Sequence, residues 1–373
     1  MTNKVNPPFR AGHVGSLLRP KKLLEARDKF FGDKSISAEE LRAVEDEAIA
    51  AAIKGQQDVG LKSVTDGEFR RTYFHVDFLE QLKGVSVTGG TSVSFRTKDG
   101  TLEFSPPKLS VSGKLEHDKD IQKADYNYLV SKTNQTAKVT IPSPTMVHFR
   151  GGRKAIDINA YPDMDVFFED LARVYREEIQ SLYDAGARYI QMDDTNLAYL
   201  CDPKMREGAR ERGQDPDALP RAYAELINKV VDNRPDDLRV TMHLCRGNFR
   251  SAWVAEGGYE PVAEVLFNEI NIDGYFLEYD DERSGDFAPL RHVPANKTVV
   301  LGLVTTKLSE METKDELKRR IEEASEYLAL EQMCLSPQCG FSSTVHGNEV
   351  AEDTQWRKLE LVVETANDVW GDN

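Results

Sequence analysis

Short apolar or β-branched runs alternate with longer helical patterns along almost the whole chain. This alternation is typical of βα units and a parallel sheet. The runs predicted as strands are residues 9–16, 60–68, 137–143, 187–194, 238–245, 273–279, 297–304 and 332–338. Eight such strands predict a (β/α)8 barrel, the TIM barrel of α/β proteins. A doubly wound open sheet is the alternative, but no GxGxxG motif follows an early strand.

The segments between the strands have apolar positions that recur every three or four residues, as in helices with one buried face. Two of these helices are predicted within residues 37–60 and 164–186. The residues that share a face are Leu41, Val44, Ala48 and Ala52 in the first and Phe167, Leu171, Val174 and Leu182 in the second. Both segments end in glycine before the next strand, which is a common helix stop.

One segment does not follow the alternation of strands and helices. Residues 84–118 alternate polar and apolar side chains, and "KDG" at 98–100 has the composition of a tight turn. We interpret this segment as a β-hairpin insertion between the second and third barrel strands. The chain, residues 1–373, is therefore predicted to be a single barrel domain with an insertion at about 84–118.

The composition is that of a globular protein, with 40% hydrophobic and 30% charged residues. A formal net charge of −15 argues against nucleic acid or an anionic membrane as a partner, because both favour basic surfaces. The first ten residues lack the apolar core of a signal peptide, and no apolar run approaches the length of a membrane span. We expect a cytoplasmic protein without nucleic-acid or membrane partners. The sequence is compatible with a homodimer.

Polar residues crowd at the predicted carboxyl ends of the strands, where the active sites of α/β barrels lie. In chain order these residues are His13, Ser16, Asp66, Glu68, Ser143, Asp193, Asp194, His243, Cys245, Glu278 and Cys339. The sequence therefore predicts a functional site at this end of the barrel.

His243 and Cys245 form a His-x-Cys pair at the end of the fifth strand. Alone the pair is a weak signal, because cysteine is often a core residue. In a barrel, however, Glu278 and Cys339 would project toward the same mouth. One nitrogen, two thiolates and a carboxylate suit zinc, which takes such ligands in tetrahedral sites. A cysteine nucleophile with His243 as its base is the alternative, but it leaves the second cysteine without a task.

Several of these residues also have ordinary structural explanations. Asp193 and Asp194 occupy a strand-to-helix loop, where aspartate often caps the helix. Glu68 has arginines two and three residues further on, and a surface ion pair would be worth little. Cys334 lies inside an apolar strand and is predicted to be a core residue. Cys201 lies in the connection after the fourth strand and is predicted to be a free surface thiol.

Seven stretches of the chain, with their order and spacing kept, carry a resemblance to a known family. They are "HVGSLLRP" (13–20), "DVGLKSVTDGEFRRTYFHVDFLEQLKG" (58–84), "IPSP" (141–144), "YIQMDDTNLA" (189–198), "HLC" (243–245), "FLEY" (276–279) and "LSPQCGF" (335–341). Over nearly its whole length the sequence resembles the catalytic C-terminal half of cobalamin-independent methionine synthase, and more closely the short, single-barrel members of that family.

The resemblance implies a (β/α)8 barrel that uses zinc to transfer a methyl group from 5-methyltetrahydrofolate to the thiol of homocysteine, giving methionine. The implied zinc ligands are His243, Cys245, Glu278 and Cys339. The implied homocysteine-binding residues are Ser16 in the "VGS" segment, Glu68 and Asp193, to which we add His13 in the same loop.

Zinc would deprotonate the substrate thiol and hold its sulfur in place. The carboxylates of Glu68 and Asp193 would meet the ammonium group of the amino acid, and Ser16 with backbone N–H groups would meet its carboxylate. A tertiary amine must be protonated to release its methyl group, so an acid is expected nearby. Asp194 and His346 are the candidates for this catalytic role.

The methyl donor stays open at this stage. The long form of the family has a second, N-terminal half that contributes to folate binding, and a chain of this length has no room for it. A methylcorrinoid protein is therefore an alternative donor. Coenzyme M is an alternative acceptor, but its sulfonate calls for cations and not for Glu68 and Asp193. The other hypotheses are a zinc hydrolase and a non-catalytic zinc-binding protein. Two cysteine ligands argue against the hydrolase, because they make zinc less acidic than hydrolysis needs.

Overall fold

The computed structural model describes residues 7–90 and 92–371. Its strands are β1 (Ser63–Val64), β2 (Lys83–Thr88), β3 (Val93–Thr97), β4 (Gly100–Phe104), β5 (Lys108–Glu116), β6 (Thr136–Ala137), β7 (Val139–Pro142), β8 (Tyr189–Asp194), β9 (Arg239–Leu244), β10 (Asn248–Phe249), β11 (Ala252–Trp253), β12 (Gly274–Glu278), β13 (Thr298–Val304) and β14 (Met333–Pro337). Its α-helices are α1 (Lys21–Arg27), α2 (Ala38–Asp58), α3 (Val76–Leu79), α4 (Lys123–Ser131), α5 (Met164–Asp184), α6 (Asn196–Tyr199), α7 (Pro203–Glu211), α8 (Leu219–Val231), α9 (Glu260–Glu269), α10 (Lys314–Ser325) and α11 (Glu352–Trp370).

Six parallel strands form the central sheet, in the order β14-β13-β12-β9-β8-β7. At one edge β1 pairs in parallel with β6, directly before β7, and at the other Ala11 forms a parallel bridge to β14. The ring closes between these two additions. There the backbone N–H of Leu17 donates to the carbonyl of Gly67 at 3.0 Å, and Thr65 Oγ1 donates to the carbonyl of Gly15 at 2.7 Å. The predicted (β/α)8 barrel is confirmed.

The first barrel strand, predicted at residues 9–16, is the least regular. Ala11 is its single bridge residue in the described chain. The carbonyl groups of His13 and Val14 accept hydrogen bonds from Nζ of Lys138. These carbonyls therefore have side-chain donors in place of a backbone ladder.

The barrel interior contains an apolar layer formed by Val14, Phe276, Val300 and Cys334, while the larger core lies between the sheet and the helices. Cys334 is thus a core residue, as predicted. The prediction that Cys201 is a surface thiol was wrong, because Cys201 is only 4% exposed. The chain after β8 folds into the short helix α6 and packs inward instead of running over the surface.

The two predicted helix faces differ in how well the structure matches them. In α5 all four predicted core residues are buried. In α2 Leu41 and Ala52 are buried, but the other two predicted residues are only half-buried. The packed face of α2 also contains Glu45, which pairs with Arg27, and Gln56. A hydrophobic pattern cannot identify such polar contacts. In the part of the chain that the structure describes, no helix has the length and apolarity to cross a membrane.

The insertion at about 84–118 is β structure, and it contains two nested antiparallel pairs. β2 pairs with β5, while β3 pairs with β4 around a turn at residues 98–99, as the "KDG" signal predicted. β3 also pairs with β11, which pairs with β10, giving a four-stranded sheet in the order β10-β11-β3-β4. The inserted hairpin is thereby fixed to the loop that follows β9. The two-residue strands of that loop were too short for the sequence pattern to predict.

Candidate metal centre and acceptor pocket

The predicted metal ligands converge at the carboxyl end of the barrel. β9 carries His243 and leads into Cys245, β12 ends with Glu278, and Cys339 follows β14. Their ligand atoms lie within 4.8 Å of one another and all four residues are buried. The two Sγ atoms are 3.4 Å apart. Zinc–sulfur bonds of about 2.3 Å in a tetrahedron would place two sulfurs roughly 3.8 Å apart. The cluster therefore has the dimensions of a metal site.

The contacts of His243 fit a metal ligand. Its Nδ1 lies 3.3 Å from the carbonyl oxygen of Phe276, which suits an Nδ1–H donor. Its Nε2 is buried and has no hydrogen-bond partner in the described chain. Donation by Nδ1 leaves the lone pair of Nε2 free, which is the arrangement found for histidines that bind zinc through Nε2. With two thiols and a carboxylate beside it, His243 completes a donor set that fits zinc.

The two thiols of the cluster influence each other. Their mutual hydrogen bond lowers the pKa of Cys339 well below the ordinary thiol value and raises that of Cys245. Burial acts to lower the pKa of His243, but the neighbouring Cys339 raises it above its ordinary value. A metal would need both thiols deprotonated and a neutral His243, so its binding would release protons from the cluster.

Glu278 is surrounded by cations. Its Oε1 accepts a hydrogen bond from the backbone N–H of Arg246 at 2.9 Å, and its Oε2 lies 3.3 Å from Arg283 and 4.0 Å from Nζ of Lys307. Burial acts to raise the pKa of Glu278, but these cations hold it below the ordinary value. The sequence analysis missed Lys307 and Arg283. The signal for Lys307 was present, because it follows the seventh barrel strand as the other polar residues follow theirs.

Ser16 lies against the loop that carries Cys339. Its Oγ accepts a hydrogen bond from the backbone N–H of Ser342 at 3.4 Å, and its carbonyl accepts one from Phe341 at 3.0 Å. A Cβ atom at Gly340 would approach Ser16 Oγ to 1.9 Å. Only glycine therefore fits beside Ser16, and the first loop is held next to the metal cluster.

Glu68 and Asp193 form a pair of buried carboxylates at the same end of the barrel. Burial raises the pKa of Glu68, and burial together with the charge of Glu68 raises the pKa of Asp193 to about 7. Thr140 Oγ1 donates to Glu68 Oε1 at 2.8 Å, and Arg71 lies 3.5 Å from the same oxygen. The arginine pair that the sequence suggested is thus present, but it is buried. Two neighbouring buried carboxylates favour the binding of a cation.

The structure does not bring His13 into this pocket. Its ring faces Ser63 and the side chain of Gln56, which belongs to α2, so it lies on the helix side of the sheet. Val14 points into the barrel and Ser16 lies at its mouth. Alternation along the chain therefore sends the side chain of His13 outward.

The two predicted proton donors lie in different surroundings. Asp194 is fully buried, and its carboxylate accepts hydrogen bonds from Thr145 Oγ1 and from the backbone N–H of Leu197 in α6. This is the structural role of an aspartate at a helix start. His346 is exposed, and its ring lies 5.2 Å from that of Phe249. Partial desolvation by the surrounding residues, together with the charges of Arg250 and Arg19, lowers the pKa of His346.

An aromatic cleft has Cys245 among its lining residues. Its aromatic lining residues are Tyr73, Phe74, His75, Phe95, Phe104, Tyr199 and Phe249. Phe104 of the inserted hairpin stacks on Phe249 with ring centroids 4.0 Å apart. The insertion therefore builds one wall of the cleft, a role that the sequence analysis did not predict. The phenylalanines on its strands were the available signal.

Fold and site together define an α/β barrel protein with a His/Cys/Glu/Cys cluster that could hold a metal, beside two buried carboxylates. The family model described as "Cobalamin-independent synthase, Catalytic domain" matches residues 9–367. The chain belongs to this family, the catalytic domain of cobalamin-independent methionine synthases.

Similarity to individual relatives extends over nearly the whole chain. The uncharacterized protein YxjH of Bacillus subtilis (strain 168) is 47% identical over 370 residues, which cover 97% of this chain and 95% of that protein. A solved structure from Listeria monocytogenes, provisionally assigned as a vitamin B12-independent methionine synthase, has 39% identity and a TM-score of 0.78, covering 98% of this chain and 99% of that one. The methionine synthase of Pyrococcus abyssi (strain GE5 / Orsay) is 25% identical over 328 residues, which cover 88% of this chain and 84% of that protein. The family resemblance is thereby confirmed.

Proposed function

We propose that the protein is a zinc-dependent methyltransferase that methylates the thiol of homocysteine and so forms methionine. The observation that carries this proposal is the position of the His243, Cys245, Glu278 and Cys339 cluster beside the carboxylates of Glu68 and Asp193. A zinc ion in this cluster would bind the thiol of homocysteine, and the two carboxylates would bind its ammonium group. The name of the Pyrococcus relative supports the same activity.

The residues divide the work of binding the acceptor. Zinc held by the four ligands would lower the pKa of the substrate thiol and fix its sulfur. Glu68 and Asp193 bind the ammonium group, and their mutual repulsion is relieved when that cation arrives. Ser16 and the backbone N–H groups of its loop bind the carboxylate.

The methyl donor enters through the aromatic cleft. Its walls suit a flat heterocyclic carrier, and we assign 5-methyltetrahydrofolate or a donor of similar shape to it. Of the two predicted proton donors, His346 is the better placed, because its ring lies beside Phe104 and Phe249 of the cleft. Both carboxylate oxygens of Asp194 already accept hydrogen bonds within the protein. His346 protonates the leaving amine in this proposal.

A zinc K-edge absorption spectrum, recorded without and with homocysteine, tests the metal and the acceptor together. We expect a zinc shell of nitrogen, oxygen and two sulfurs that gains one sulfur when homocysteine is added. Homoserine, which has a hydroxyl in place of the thiol, is the matched control and should leave the shell unchanged. Absence of metal from freshly prepared protein would refute the zinc site. A zinc coordination shell that does not change when homocysteine is added would refute homocysteine as the acceptor.

A further inference from the structure

A buried lysine lies inside the barrel beneath the acceptor pocket. Lys138 stands between β6 and β7, is 1% exposed, and places its ammonium 4.7 Å from the ring centroid of Phe276. Its Nζ donates to the carbonyl of His13, to the carbonyl of Val14 at 3.1 Å and to Gln191 Oε1 at 2.9 Å. Burial lowers the pKa of Lys138 to about 7, whereas the charges of Asp193 and Glu68 raise it. The three acceptors match the three N–H bonds of the ammonium form. Lysine is almost never fully buried unless it is paired. The chemistry proposed above does not use Lys138.

Gln191 links Lys138 to Asp193 through hydrogen bonds of its side-chain amide. Its Nε2 donates to the carbonyl of Val14 at 2.6 Å and to Asp193 Oδ1 at 2.7 Å. An ammonium group can only donate, so the amide oxygen of Gln191 must face Lys138 and its nitrogen must face Asp193. The ammonium therefore fixes the orientation of the amide, and the amide fixes the carboxylate.

The same strand supports both halves of the acceptor pocket. Lys138 and Gln191 both bond the carbonyl of Val14, which begins the "VGS" segment. Two residues after Lys138, Thr140 donates to the carboxylate of Glu68. The side-chain and carbonyl partners of Lys138 are none of the four metal-cluster residues. A change at Lys138 should thus disturb recognition of the amino acid before it disturbs the metal.

We propose that Lys138 is a positioning residue that makes the acceptor pocket selective for thiols carrying an α-amino group. It acts through Gln191 on Asp193. Without the ammonium, the amide of Gln191 is free to turn over, and the carbonyl of His13 and the amide oxygen of Gln191 lose their donor. This inference rests on the proposed function, because it assumes that Asp193 binds the ammonium group of homocysteine.

The test compares homocysteine with 4-mercaptobutyrate, which is homocysteine without its amino group. Calorimetry measures the Kd of each thiol for the zinc-loaded wild type and for Lys138→Met, a change that keeps an unbranched chain. In the wild type we expect homocysteine to bind at least about tenfold more tightly, as a charge-assisted hydrogen bond provides. In Lys138→Met that preference should fall to about threefold or less, while the Kd of 4-mercaptobutyrate changes by less than about threefold.

Lys297→Met is the matched control. Lys297 is also a buried lysine, and its Nζ donates to the carbonyls of Phe267 and Ile270, but it precedes β13 at the opposite end of the barrel. Its replacement should lower stability and leave the preference for homocysteine intact. If Lys138→Met does not fold, Gln191→Met keeps the lysine, breaks the link to Asp193, and should show the same loss of preference.

The outcomes separate this inference from the proposed function. A wild type that prefers homocysteine, together with a Lys138→Met or Gln191→Met variant that keeps the preference, overturns the inference alone. Equal weakening of both thiols shows a general structural role and also overturns it. A wild type whose zinc gains no sulfur, or that binds both thiols equally, refutes acceptor recognition itself and this inference with it.

Discussion

Replacement of Cys339 by serine is expected to remove most of the bound zinc and to abolish methyl transfer. Cys339 is the thiol whose pKa the cluster lowers, and its sulfur lies 3.4 Å from that of Cys245. Structural zinc sites bind with roughly 10–16 kcal/mol, so one ligand of four accounts for about 3 kcal/mol or a zinc affinity weaker by roughly 10²–10³-fold. The measurements are zinc content after dialysis against a weak chelator and the rate of methionine formation.

Cys201→Ser is the control for this experiment. Cys201 is as buried as the ligands, but it lies outside the cluster and directs its Sγ at the carbonyl of Leu197 at 3.6 Å. The variant should keep one zinc per chain and its activity. A Cys339→Ser protein with full zinc and full activity would contradict the assignment of the metal site.

Replacement of Arg19 by methionine is expected to lower the free energy of unfolding by about 3–5 kcal/mol, because removing a buried charged partner leaves its acceptors unsatisfied. Arg19 is buried, and its guanidinium donates to Ser342 Oγ at 2.6 Å and to the carbonyls of Glu68 at 2.6 Å and Arg71 at 2.7 Å. These contacts join the loops after the first, second and eighth barrel strands. Urea unfolding followed by circular dichroism measures the loss.

Lys22→Met provides the comparison for Arg19→Met. Lys22 is a nearby cation whose ion pair with Glu47 is exposed, at 65% and 67% of the side-chain surface. Exposed ion pairs contribute about 0–1 kcal/mol to the free energy of unfolding, so Lys22→Met should lower it by no more than that. If the two variants lost similar amounts of stability, the contacts of Arg19 would not hold the loops together.

The sequence predicted most of the fold because the alternation of strands and helices is a local pattern. It also predicted the metal cluster and the positions of Ser16, Glu68 and Asp193, because each is a polar residue where an apolar run ends. The structure brings these residues together across more than 300 positions of the chain. The single-domain organisation of residues 1–373 stays a prediction.

The rest depends on which way a side chain points and on partners distant in sequence. A shift of one residue along a strand reverses the face, so the strand-end rule could not separate His13 from Ser16. Lys138 and Gln191 lie within predicted strands and not at their ends, and their function depends on a lysine reaching the carbonyls of another strand. The contact of Phe104 with Phe249 joins two loops that no periodicity relates.

The closure between the first and second barrel strands also links substrate binding to local unfolding. In the described chain this closure uses the hydroxyl of Thr65 and a single backbone bond from Leu17, whereas β8 with β9 and β12 with β13 share continuous ladders. Fewer backbone bonds make local opening here cost less free energy than opening between strands that share a continuous ladder. Ser16 and Glu68 stand on opposite sides of this closure. An acceptor held by both would bind only the closed barrel, so homocysteine should slow amide exchange at Leu17 by mass action.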